Sequence, residues 1–123
     1  MFKLKSYQLN TIEAIGSFMT SCKAGESTPA EVFSTVAAGM GLPHAKYHDP
    51  FGGAPCVCVK VPTGGGKTVI AAASIAVIDD AYTQTGHPFV LWLTPSDTIT
   101  QQTVKALKDT NHPYRQAIEK SFT

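Results

Sequence analysis

The sequence predicts an α/β fold in which helices precede a short parallel sheet. Three observations carry this expectation. Residues 56–61 form a short apolar run rich in valine. Three consecutive glycines and an apolar helical stretch follow it, and a second apolar run, residues 89–93, comes after a turn. Strand, crossover helix and strand in that order make two parallel neighbours joined by a right-handed connection. Two parallel strands leave both faces and both edges uncovered, so the chain reads as the front portion of a larger α/β domain.

Each element follows from local pattern. Ser6 is placed to cap a first helix that carries Leu9, Ile12, Ile15 and Met19 on one face and fades over residues 21–25. Thr28-Pro29-Ala30-Glu31 is a capping box with proline at the first helical position, so a second helix starts there and stops near Gly39 and Gly41-Leu42-Pro43. Residues 43–55 are rich in proline and glycine and read as a loop. The first strand is expected over residues 56–61. A helix from Lys67 to about Asp80 is apolar on most sides, as suits one lying on a sheet. Residues 83–88 read as a turn and 89–93 as a buried second strand, with Trp92 packed in the core. Ser96 or Asp97 caps a further helix bearing Ile99, Thr103, Ala106 and Leu107, and Asn111-His112-Pro113 separates it from a last one with Tyr114, Ile118 and Phe122 in phase.

Composition bounds the class. A hydrophobic content of 43% with 15% charged residues is globular, and a formal net charge of +1 offers no bulk basic field to a polyanion. The longest apolar run, residues 69–78, is broken by Ser74 and too short to span a bilayer, and no secretory signal is visible, so no membrane is expected. Three cysteines, an odd number, argue against a disulfide framework and for a reducing, cytoplasmic setting.

The richest chemistry lies in Val61-Pro62-Thr63-Gly64-Gly65-Gly66-Lys67-Thr68. Glycines let backbone approach an anion at positive φ, their N–H groups converge on it, and the following helix adds the positive end of its dipole. Lys67 would set its ammonium on the β- and γ-phosphates and the Thr68 hydroxyl would coordinate Mg²⁺. The pattern reads as a nucleoside-triphosphate site holding ATP and Mg²⁺. A flexible glycine turn beside a solvated lysine is the plainer alternative.

At these residues the chain resembles the superfamily 2 helicases of the DEAD/DEAH-box type. Val61 to Thr68 looks like their motif I, in which the first loop position is seldom glycine. Leu4-Lys5-Ser6-Tyr7-Gln8 is similar to the glutamine segment ahead of it, and Leu93-Thr94-Pro95-Ser96, with Ile99 and Gln102, looks like motif Ia. The wording of the second half most resembles the helicase (Res) subunit of type III restriction enzymes. The resemblance implies a RecA-like domain, here its N-terminal portion. Residues 1–22 would hold the helix with the glutamine segment, 23–55 a helix-and-loop insertion, and 56–123 the start of the ATPase domain. It further implies that Gln8 reads adenine, that Pro62 to Thr68 grip the phosphates, and that Pro95, Ser96 and Gln102 touch nucleic acid. Implied partners are double-stranded DNA, along which ATP hydrolysis would drive movement, and a modification methyltransferase subunit. The family's Asp-Glu pair of motif II is absent from these residues, so no complete catalytic set is present and the chain is expected to bind better than it turns over. A non-catalytic nucleotide-binding or interaction module, complete at this length, is the alternative.

Other clusters read as scaffolding. Asp79-Asp80 follows an apolar run as a strand-end acid pair would, yet only about ten residues separate it from Thr68, too few for helix and strand in series. His44, His48, Cys56 and Cys58 lack the two-residue cysteine spacing of structural zinc sites. Lys105, Lys108 and Arg115 read as a solvated face.

Overall fold

The computed structural model describes residues 3–62, 64 and 66–122, with side chains as far as Glu119. Five helices make up the fold: α1 (Ser6–Ala24), α2 (Pro29–Gly39), α3 (Lys67–Ile78), α4 (Asp97–Lys108) and α5 (Pro113–Phe122). A five-residue π turn, Asp79–Thr83, continues α3. Helix α3 is central, packed against both α1 and α5. Helix α2 lies on α1, and α4 on α5.

The helix ends are local chemistry. Thr28 Oγ1 accepts from the Glu31 N–H at 3.3 Å and the Glu31 carboxylate accepts from the Thr28 N–H at 3.4 Å, with Pro29 in the first turn. Ser96 Oγ accepts from the Ile99 N–H at 3.3 Å and starts α4. In α1 the cap differs from expectation: Ser6 is already helical, and Gln8 Oε1 takes the Lys5 N–H at 2.8 Å.

The core gathers on α1, where α2, the last residue of α3 and the π turn meet it. Ile15, Phe18, Met19 and Val32 are buried together, with Ile78, Ala81 and Tyr82 packed on them. Phe18, at 2% exposure, meets Phe33 and Tyr47 at ring distances of 6.3 and 6.1 Å. Tyr47 ties the proline-glycine loop to this core, since its hydroxyl donates to the Ala54 carbonyl at 3.4 Å and accepts the Cys56 N–H at 3.1 Å. Gly16 lets α1 and α3 approach closely, because a methyl group there would fall 2.9 Å from Val77 Cγ1.

The expected parallel sheet does not form: the described residues contain helices and no strand, so the fold is not α/β. Residues 56–61 and 89–93 carry no strand pairing. Their β-branched and aromatic content suits a pleated surface, but a ladder exists only between partners, and propensity supplies none. Val57, Val59 and Val61 instead border a cavity of about 310 Å³ with Ile15, Ile70 and Ile78. The second run is not buried either. Phe89, Leu91 and Leu93 are 96%, 74% and 81% exposed, and only Trp92 between them is half-buried.

Candidate phosphate-binding site

The glycine loop meets α3 at Gly66, whose φ of 83° lies in the left-handed region. Gly64 shares that conformation with φ of 80°, and a methyl group on it would meet nothing within 4 Å, so this part of the loop is open. Side chains rarely adopt such φ values, which is the physical reason for glycine at both positions. The Gly66 carbonyl accepts the Ile70 N–H at 3.0 Å, so α3 begins directly behind the loop. Thr63 and Gly65 lie outside the described residues.

Lys67 is the first residue of α3 and is exposed, Thr68 is half-buried beside it, and Pro62 is exposed ahead of them. The first turn of α3 carries no acidic residue. Val69 and Ile70, buried at 4% and 3% exposure, fix this end of the helix. Five consecutive residues thus divide their work: Gly66 turns the chain, Lys67 and Thr68 present polar groups, and Val69 and Ile70 anchor them. Positive-φ glycine, open space over Gly64 and an exposed lysine at a helix N-terminus suit the donor set that a phosphate requires.

The structure brings Gln8 to the same place. Its side chain is 6% exposed although glutamine is usually a surface residue. A methyl group on Gly66 would collide with Gln8 Nε2 and lie 3.1 Å from Val69 Cγ1. Residues 58 positions apart in sequence are therefore neighbours, which the sequence order alone does not state.

Pro95 and Ser96 are exposed at the start of α4, and Gln102 is exposed midway along it. Ser96 has a clear local duty as N-cap, and its carbonyl accepts from the Thr100 N–H and hydroxyl, both at 3.0 Å. Arg115 is engaged rather than loose: its guanidinium meets Glu119 Oε1 at 2.8 Å and donates to the Leu107 carbonyl at 3.0 Å, closing the end of α4.

Asp79 belongs to the scaffold. It is 2% exposed, and its carboxylate accepts from the Thr85 N–H at 3.0 Å, the Thr85 hydroxyl at 2.9 Å, the Gly86 N–H at 2.9 Å and the Thr83 hydroxyl. The Thr83 hydroxyl and then the Thr85 N–H hold its carboxyl down to about 2 from the ordinary 3.8, against the opposing effect of burial. Asp79 followed by Thr83 is an i, i+4 pair that local reading could have found. The wrap of residues 85 and 86 around the carboxylate could not be found that way. Among the described residues, no three histidine, cysteine or acidic side chains are gathered as a metal would need, and no helix is long and apolar enough to cross a membrane.

Comparison with curated proteins returned no match, and neither did comparison with solved structures. The family model described as type III restriction enzyme, res subunit, matches residues 1–123. With a family model matched over that whole span, the chain belongs to the res subunit family of type III restriction enzymes, within helicase superfamily 2.

Proposed function

We propose that this chain supplies the ATP-gripping segment of a DNA-dependent helicase of the type III restriction kind. The observation that carries the reading is the join at Gly66. A positive-φ glycine loop runs straight into α3, with Lys67 and Thr68 as its first residues. In this reading the N–H groups of Gly64, Gly65 and Gly66, with Pro62 and Thr63 shaping the approach, face the phosphates. Lys67 offsets their charge and the Thr68 hydroxyl serves Mg²⁺. The Thr68 hydroxyl would help to hold that ion, which would supply positive charge to offset charge developing on the phosphate. Gln8 belongs to the site by its position against Gly66.

Hydrolysis calls for a carboxylate pair that orients water and a finger arginine, the latter worth about 10³–10⁵ in rate. The sequence contains no Asp-Glu pair, and its acidic neighbours Asp79 and Asp80 sit at the far end of α3. The chain by itself therefore binds nucleotide without helicase-like turnover. Pro95, Ser96 and Gln102 are proposed to meet the backbone of double-stranded DNA, supported by their exposure at the start and along the first half of α4.

Calorimetric titration with Mg²⁺ and ATP tests the reading. Replacing Lys67 with alanine removes a charge-assisted contact and should weaken ATP by about 1.5–3 kcal/mol, roughly 10- to 150-fold. Equal affinities for wild type and Lys67→Ala would overturn the phosphate role.

A further inference from the structure

Cys56 and Cys58 have no part in the phosphate-site reading, yet they lie on the segment that feeds the glycine loop. Both are free thiols, Cys56 half-buried and Cys58 exposed. Val57, Val59 and Val61 border the cavity beside α3, whereas Cys56, Cys58 and Lys60 do not. That alternation has the period of an extended chain, so the two thiols share its other side. The segment is held at its start, where the Cys56 N–H donates to the Tyr47 hydroxyl at 3.1 Å. Tyr47 in turn packs on Phe18 and Phe33, with ring distances of 6.1 and 5.4 Å. The third thiol stands apart: Cys22 is half-buried on α1, against the core, and burial pushes it up. A raised thiol holds less thiolate, the form that exchanges with disulfides.

We propose that Cys56 and Cys58 are a redox-sensitive modification site: a disulfide between them draws in the segment ahead of the glycine loop and weakens phosphate binding. The effect on phosphate rests on the phosphate-site reading above, whereas the bridge itself does not. The Cys58 thiolate attacks one sulfur of a low-molecular-weight disulfide of the glutathione type. Its S–S bond breaks, and one thiolate leaves with the electron pair. The Cys56 thiolate then attacks the Cys58 sulfur, forms the internal bond and releases the second thiolate. The cysteine pair thus gives up two electrons, and its two protons end on the released thiols.

Geometry makes this bridge a lever. Residues two apart in an extended chain span about 6.6–7.2 Å between Cα atoms. A disulfide usually holds its Cα atoms about 5.5–6 Å apart. Closure therefore draws the chain in by roughly 1 Å. Tyr47 holds the Cys56 end, so the shift passes to Val59, Val61 and the loop beyond. At the far side of that loop the Gly66 carbonyl accepts the Ile70 N–H at 3.0 Å, so the first turn of α3 registers the change. A bridge closed against the extended form is reopened by excess thiol.

The test uses the purified full chain, first reduced, then treated with glutathione disulfide, then returned with dithiothreitol. Intact mass and peptide mapping should show a bridge between residues 56 and 58 with Cys22 still free. Cys58→Ser, at an exposed position, should form no such bridge. A stable glutathione adduct on Cys58, or a bridge to Cys22, would overturn the site. Without ligand, amide hydrogen exchange over residues 66–70 should quicken on oxidation and recover on reduction; unchanged exchange there would overturn the lever. Calorimetric titration with Mg²⁺ and either ATP or inorganic tripolyphosphate should give about tenfold weaker binding of both after oxidation, as for loss of one charge-assisted contact. Dithiothreitol should restore it, and Cys58→Ser should bind alike with and without glutathione disulfide. Equal affinities of oxidised and reduced wild type would overturn the link to phosphate. Failure of the phosphate-site reading looks different: Lys67→Ala then leaves tripolyphosphate binding unchanged, while the bridge and the exchange change persist.

Discussion

The two ends of α3 solve the same problem in opposite ways. At its C-terminal end, N–H groups of Thr85 and Gly86 and hydroxyls of Thr83 and Thr85 surround an anion that the chain itself provides, the Asp79 carboxylate. At its N-terminal end, positive-φ glycines, Lys67 and Thr68 present the same kinds of donor, and no acid occupies the first turn. The first end is closed by its own side chain and packed on the core through Ile78, Ala81 and Tyr82. The second is open over Gly64 and exposes Lys67. A donor cluster satisfied from within stabilises a turn, whereas one without an internal acid is suited to an external anion.

The largest expected effect falls on the closed end. Phe18→Ala empties the core on which Ile78 and the following π turn are packed and should cost about 3–5 kcal/mol of stability, read by urea unfolding. A loss below about 1 kcal/mol would mean that this end is not core-anchored. Lys67→Ala should do the reverse, lowering ATP affinity as stated while leaving unfolding within about 0.5 kcal/mol, as for an exposed residue. If Lys67→Ala unfolds the chain, the contrast between the ends collapses.

Asp79 sharpens the comparison through pH. Its carboxyl titrates near 2 when folded against an ordinary 3.8. Between those values the unfolded chain binds the proton and the folded one does not, so stability rises with pH there. The contribution is complete above about pH 4 and is lost as pH falls towards 2. Asp79→Asn should remove this acid-side slope, lower the melting temperature at neutral pH, and leave ATP affinity of the folded protein unchanged. An unaltered acid profile would show that the wrap of residues 83–86 does not depend on the charge.

The smallest effect separates two duties of one serine. Ser96→Ala should cost about 1 kcal/mol through loss of the α4 cap. Ser96→Asp keeps a cap and suits the helix dipole, so stability should hold, while affinity for a double-stranded DNA oligonucleotide falls at low salt. Unchanged DNA affinity in Ser96→Asp would leave Ser96 as a cap alone.

How much of this was legible in the sequence divides along the range of the interaction. The glycine loop, the positions of α2 and α4 and their caps could be read directly, since Thr28 with Glu31, Pro29 and Ser96 act within one turn of chain. A helix closes its hydrogen bonds inside its own segment, so local spelling suffices. The resemblance to the res subunit family was read from the same kind of local spelling, and the family model matches residues 1–123.

Tertiary structure alone decided the rest. Residues 56–61 and 89–93 have the composition of strands, but pairing depends on a partner brought alongside, and here neither run is paired. Burial of Gln8 against Gly66, the hold of Tyr47 on the residue 43–55 loop, and the enclosure of Asp79 by Thr85 and Gly86 all join groups that the spelling of either segment leaves apart. Residue type and spacing fixed which donors this chain carries. The packing of α1 against α3 decided which of them face one another, because only a shared core sets the distance between segments remote in sequence.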